Sequence, residues 1–196
     1  MKLVILDRDG TLNEDRDDYV KSAEEWVPIA GALEAVATLN HAGWHVVVAS
    51  NQSGLGRGLF DMDTLNTMHR KMHEGLARTG GRIDAIFFCP HAPEDACRCR
   101  KPLPGLFEEI ALRYGMSLAG VPAVGDSLRD LQAAIALGCA PHLVRTGKGA
   151  ELDEAGLQQV ADLVPGLHVH ADLAAFAAWL IAHGPAPEPR RSNHAG

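Results

Sequence analysis

Five short apolar runs punctuate the chain, at residues 2–6, 45–49, 85–88, 121–124 and 141–144. Their apolar residues follow one another without alternation, and each run stops at polar or glycine-rich residues. Runs of this kind predict strands buried on both faces. Between them the apolar spacing becomes helical. Residues 32–42 put Leu33, Val36, Ala37 and Leu39 on one face. Residues 61–78 open at Asp61, an N-cap, and carry Leu65, Met68, Met72 and Leu76 at helical intervals. Residues 104–114 repeat the pattern with Leu106, Phe107, Ile110 and Leu112, and residues 128–137 end before Gly138, a helix-stopping residue. A last helix is predicted over 171–182, after a short strand around His168 and His170.

Alternating strands and helices predict an α/β fold, a doubly wound parallel sheet with right-handed crossovers. Such sheets bind ligands outside the carboxyl ends of their strands. At 196 residues the expectation is one domain over 1–183. Residues 184–196, rich in proline and charge, read as a disordered tail. No internal repeat is evident.

Composition narrows the class. The apolar fraction of 46% is that of a soluble globular protein. No run approaches the roughly 20 apolar residues of a bilayer span. The first residues enter a strand without signal-peptide anatomy, so a cytoplasmic protein is expected. A net charge of −7 argues against a nucleic-acid partner.

The candidate chemistry falls at strand tips. Asp7-Arg8-Asp9-Gly10 follows the first run. A phosphate monoester repels an attacking carboxylate, so such a site needs a screening cation, typically Mg²⁺ on oxygen ligands. Asp7 can then attack phosphorus, and Asp9 can protonate the leaving oxygen and later deprotonate water. Two solvated loop acids are the simpler alternative. Ser50-Asn51-Gln52-Ser53-Gly54 follows the second run, where a hydroxyl among free amides suits a phosphoryl oxygen; a plain polar turn is the competing reading. Asp126 follows the fourth run and is placed to complete a metal site. Asp130, four residues on, could support the metal's waters or simply favour a helix N-terminus.

Cys89, His91, Cys97 and Cys99 offer three thiolates and one imidazole, the ligand set of tetrahedral structural zinc, against the alternative of free, partly buried cysteines. Arg100 and Lys101 follow the last of them, so a metal there would fix the backbone that carries both cations. Cys139 reads as a small buried hydrophobe.

Together these motifs resemble the haloacid dehalogenase-like phosphatases, whose Rossmannoid core carries Asp-x-Asp-x-Thr, then Ser/Thr, then Lys, then Gly-Asp-x-x-x-Asp. The resemblance implies that Asp7 is the nucleophile and Asp9 the acid/base. It implies that Ser50 and Lys101 hold the transferring phosphoryl group. Mg²⁺ would be bound by Asp7, Asp126 and the backbone carbonyl of Asp9, with Asp130 in support. The insert Cys89-Pro90-His91 to Cys97-Arg98-Cys99-Arg100-Lys101-Pro102 is similar to that of the heptose 1,7-bisphosphate phosphatases, which are related to the histidinol-phosphate phosphatases. That resemblance covers residues 1–147 and implies removal of the 7-phosphate from D-glycero-D-manno-heptose 1,7-bisphosphate, in the making of activated heptose for lipopolysaccharide. The zinc loop is shorter than in some relatives, which bears on the shape of the pocket.

Recognition of sugar and retained phosphate is expected from Arg100, whose guanidinium can grip phosphate with two nitrogens, and from Arg57. Asp15, Arg16, Asp17, Asp18 and Tyr19 are candidates for the sugar hydroxyls. Asn51, Gln52, Ser53 and Ser127 are placed at the same rim, with Lys148 a weaker candidate. No insertion is large enough for a cap domain, and a monomer is expected. Histidinol phosphate is the rival substrate, and a catalytically silent binding module of the same fold is the rival of another class. His69 with His73, and His168 with His170, lack a third ligand. Trp26, Trp44 and Trp179 are expected as packing or rim residues.

Overall fold

The computed structural model describes residues 1–184; of the expected tail, residues 185–196 lie outside the described residues. Six parallel strands form one sheet in the order β3-β2-β1-β4-β5-β6. They are β1 (Leu3–Leu6), β2 (His45–Asn51), β3 (Ala85–Cys89), β4 (Pro122–Gly125), β5 (Ala140–Val144) and β6 (His168–His170). All four residues of β1 are buried, as expected of a central strand.

Among the described residues seven α-helices accompany them: α1 (Ala32–His41), the single turn α2 (Ser53–Gly56), α3 (Met62–Thr79), α4 (Gly105–Tyr114), α5 (Leu128–Ile135), α6 (Glu154–Leu163) and α7 (Leu173–His183). Successive strand residues feed opposite layers. Val4, Leu6, Val46 and Val48 pack with α1, α3 and α7. Leu3, Ile5, Val47 and Ala49 pack with α4 and α5. Asp61 caps α3 as expected, accepting from the Thr64 amide at 2.8 Å. α5 stops earlier than its pattern suggested, capped by Ala136, and Gly138 follows in the left-handed region with φ 73°. β2 runs two residues further than expected, so Ser50 and Asn51 lie within the strand rather than after it.

The chain moves outward from β1 through β2 to β3, then returns to the other side of β1 to lay down β4, β5 and β6. The direction of winding therefore reverses between β1 and β4. A crevice opens at such a reversal, outside the carboxyl ends of the strands. Asp7 leaves β1 and Asp126 leaves β4 at that crevice, and the Asp7 amide donates to the Val124 carbonyl at 2.8 Å. Among the described residues no inserted element forms a large cap over it, and no helix is long and apolar enough to cross a membrane.

Candidate active site

Lys101 lies at the centre of the crevice. Its ammonium sits 2.8 Å from Asp7 Oδ1 and 2.6 Å from Asp130 Oδ1, and donates to the Ala49 carbonyl at 2.7 Å. The side chain is almost fully buried. Burial lowers its proton affinity, but the charges of Asp130 and Asp7 outweigh that and raise it. Asn51 fixes the Lys101 backbone from both sides, its amide donating to the Lys101 carbonyl and accepting from the Lys101 amide, each at 3.0 Å. The Asn51 side-chain amide is thus spent on holding Lys101.

Asp7, Asp126 and Asp130 each place a carboxylate oxygen within 4.8 Å of the others. Three buried acids against one lysine leave an excess of negative charge. Burial and the neighbouring acids push Asp7 up to about 6 and Asp126 up to about 8. Asp130 goes the other way: burial would raise it, but the Lys101 charge holds it low. Asp126 Oδ2 accepts from the Lys148 amide at 2.8 Å, while Oδ1 is buried without a hydrogen-bond partner. Gly10, at φ 81°, packs against Oδ2 of this carboxylate so closely that a Cβ would overlap it, and Gly147 crowds the same oxygen from beside Gly10. An orphaned buried oxygen, raised carboxyl affinities and a glycine cradle fit a hard divalent cation with oxygen ligands, such as Mg²⁺.

Asp130 serves the helix as well. Its Oδ2 accepts from the Ser127 amide and hydroxyl at the start of α5. The helix-end role thus has a direct hydrogen-bond basis, while Oδ1 faces the Lys101 ammonium.

Asp9 is gripped from several directions. Arg8 donates through Nε and Nη2 at 2.9–3.1 Å, Asn13 at 2.8 Å and Gln52 at 2.9 Å. Burial would raise its proton affinity, but the Arg8 charge and these donors hold it below the usual carboxylate range. Gln52 also donates to Ser50 Oγ at 2.7 Å, which ties the acid to the buried hydroxyl. Arg8 was missed as a functional residue in the sequence, though it stands between the two aspartates.

At the end of β3 the loop bearing Cys89, His91, Cys97 and Cys99 folds back on itself, with one 3₁₀ turn at Pro93–Asp95. Cys89 Sγ lies 3.5 Å from Cys97 Sγ and 3.6 Å from His91 Nδ1, and His91 Nδ1 lies 3.2 Å from Cys99 Sγ. A tetrahedron with bonds of about 2.1–2.3 Å has edges of roughly 3.4–3.8 Å. Two of the three spacings fall in that range and the third lies just below it, so the four donors can close on one zinc, which would fill all four protein positions.

Beside the acids lies a cavity of about 190 Å³. Of the expected recognition residues, Asp15, Arg16, Asp17, Tyr19, Asn51, Gln52, Ser53, Arg100 and the weaker candidate Lys148 line it. Asp18, Arg57 and Ser127 do not. Asp18 is tied to Arg16 and Lys21, Arg57 reaches Glu94 in the cysteine loop at 3.5 Å, and Ser127 is turned to Asp130. Arg129 and Phe60 line the cavity and were missed; neither belongs to a local motif. A larger cavity, about 370 Å³, lies at the amino ends of the strands beside Trp44 and Trp179, away from the acids.

Comparison with known proteins shows what the chain is similar to. The polynucleotide kinase 3 phosphatase family model matches residues 2–125, and the HAD-hydrolase-like model matches residues 98–173. A D-glycero-beta-D-manno-heptose-1,7-bisphosphate 7-phosphatase of Bordetella bronchiseptica is 58% identical over 92% of this chain and 98% of its own. One of Pseudomonas aeruginosa with the same name is 47% identical over 91% of this chain and 97% of its own. The crystal structure of D,D-heptose 1,7-bisphosphate phosphatase from B. bronchiseptica, complexed with magnesium and phosphate, superposes with a TM-score of 0.88 over 93% of this chain and 99% of that one.

Proposed function

Because the chain belongs to the haloacid dehalogenase-like D-glycero-D-manno-heptose 1,7-bisphosphate 7-phosphatase family, we propose that it removes the 7-phosphate of that sugar and leaves the 1-phosphate in place. Its relatives' names specify the beta anomer, and that is the anomer assigned here. The observation that carries the reading is the meeting of Asp7, Lys101 and Asp126 at the β1/β4 crevice, next to a cavity lined by cations.

Asp7 attacks phosphorus, the bond to the sugar O7 breaks, and an aspartyl-phosphate forms on Asp7. Lys101 and Ser50 hold the phosphoryl oxygens. Asp9 gives its proton to O7, then takes one from the water that attacks the aspartyl-phosphate and frees inorganic phosphate. In the substrate-free site Asp9 is ionised, since Arg8 lowers its proton affinity. An arriving phosphate dianion raises that affinity, as any nearby like charge does, which is the direction an acid role needs.

Asp7, Asp126 and the carbonyl of Asp9 would hold Mg²⁺, which when bound screens the charge of phosphate and nucleophile. The Cys89, His91, Cys97 and Cys99 set would hold zinc as a structural clamp on the backbone leading to Arg100 and Lys101. Thiolates in that state need a reducing compartment, so we place the enzyme in the cytoplasm, acting as a monomer on a small sugar bisphosphate.

The test is a substrate panel on purified protein: both anomers of the heptose bisphosphate, and histidinol phosphate. The proposal expects the highest kcat/KM with the beta bisphosphate, one phosphate released per sugar, and heptose 1-phosphate as product. Faster turnover of histidinol phosphate would reverse the assignment.

A further inference from the structure

The cavity beside the acids has five lining cations: Arg8, Arg16, Arg100, Arg129 and Lys148. Three are spoken for. Arg8 holds Asp9 through Nε and Nη2, with its Nη1 buried and unpartnered, Arg16 pairs with Asp18 at 3.0 Å, and Lys148 pairs with Asp15 at 2.9 Å. Among the described residues Arg100 and Arg129 make no ion pair with a carboxylate, and each has a buried nitrogen without a hydrogen-bond partner, Nη1 of Arg100 and Nε of Arg129. A buried, unsatisfied charged donor is costly, because water has been stripped from it and nothing has taken its place.

Arg129 is also at the wrong end of its helix. It lies in the first turn of α5, where exposed amides already present positive charge and an acid is favoured. Local folding therefore gives no reason for a cation there. The acids Asp130, Asp7, Asp126 and Asp15 attract it from a distance, but none of them bonds to it.

We propose that Arg129 is a specificity residue, which with Arg100 grips the phosphate that the enzyme retains on its substrate. This rests on the reading of the site as a sugar bisphosphate phosphatase and adds the anchor for the non-reacting end. Arg129 on α5 and Arg100 on the loop from β3 line the same cavity. A second phosphate would satisfy both orphaned nitrogens with charge-assisted hydrogen bonds. A substrate lacking that phosphate would leave them unpaired, so the site discriminates by the cost of an empty subsite.

The experiment compares the heptose 1,7-bisphosphate with heptose 7-phosphate, using the full chain and the variants Arg129→Ala, Arg129→Gln and Arg129→Lys. In Arg129→Ala, kcat/KM for the bisphosphate should fall at least ten times further than for the 7-phosphate, with the loss mainly in KM. Arg129→Lys should recover part of the difference. Arg129→Gln, which keeps polarity without charge, should recover little and serves if the alanine variant folds poorly. An equal loss on both substrates would overturn the proposal, for it would make Arg129 a distant counter-charge to the acids. If the wild-type enzyme turns over the bisphosphate no better than the 7-phosphate, the substrate reading fails first, before any variant is made.

Discussion

A single oxygen of Asp7 is at once 2.8 Å from the Lys101 ammonium and part of a cluster of three buried acids. Burial first, and then the repulsion of neighbouring acids that the lysine alone cannot offset, makes Asp7 and Asp126 hold protons more tightly than ordinary carboxyls. Replacing Asp7 by Asn removes the nucleophile and relieves repulsion together. Asp7→Asn should therefore lower turnover by at least about 10³-fold with no loss of thermal stability. A variant that kept near-normal kcat would refute the nucleophile assignment. Asp9→Asn should lower kcat by about 10²–10⁴-fold, the usual worth of a positioned acid/base, with the deficit smallest for leaving groups that need no proton. A series of aryl phosphates of graded leaving-group acidity measures this. At this scale the sequence was informative where chemistry is local. Asp7, Asp9 and Asp126 are legible because each follows an apolar run. Arg129 was not, because its significance is the lack of a partner, which only the folded chain reveals. Asn51 was legible as a site residue, but its use as the clamp on Lys101 joins positions 50 residues apart in the chain.

The elements differ in how plainly the sequence announced them. β1 and β2 are buried along nearly their whole length, so their apolar runs were unmistakable. α6 went unrecognised because only Val160 of its ten residues is buried, leaving almost no helical stripe to detect. α2 is a single turn, too short for any periodicity. The 3₁₀ turn of the cysteine loop buries none of its own residues, so replacing one donor should loosen the segment that carries Arg100. Cys97→Ala should raise KM for the bisphosphate more than it slows turnover of p-nitrophenyl phosphate, with zinc content falling below one per chain. Unchanged selectivity would count against the clamp. On the far side of the sheet, His142 is buried against Phe176 and Trp179, with its Nδ1 3.0 Å from His170 Nε2. Burial, then the neighbouring His170 and His168, lower its proton affinity from the ordinary 6.5 to about 3. A histidine depressed on folding stabilises the fold fully above pH 6.5 and loses that contribution as pH falls from about 6.5 towards 3. His142→Leu should thus flatten the decline of thermal stability across that window relative to wild type, as read by melting curves. An unaltered slope would contradict the burial argument.

For the molecule as a whole, the decisive feature is the reversal of winding between β1 and β4, which brings residues 7, 101, 126 and 130 to one crevice. Parallel order and strand-tip chemistry were both legible, since each motif ended an apolar run. The cavity was less so: its walls come from the loop after β1, α2, the cysteine loop and α5, and Arg57 and Ser127 proved to face elsewhere. With no large cap among the described residues, selectivity must come from these loops. Two metals with separate duties should also be separable. Brief chelation should abolish turnover, and Mg²⁺ alone should restore it while zinc, counted by elemental analysis, stays bound. Recovery only when zinc is added back would give zinc a catalytic part. The central claim is that the phosphoryl group passes through Asp7, and rapid quench of a single turnover tests it most directly. With substrate labelled at the 7-phosphate, acid-quenched enzyme should carry label on the peptide containing residue 7, rising and decaying at rates consistent with kcat. Label passing straight to inorganic phosphate in an active preparation, with none ever on the protein, would contradict it.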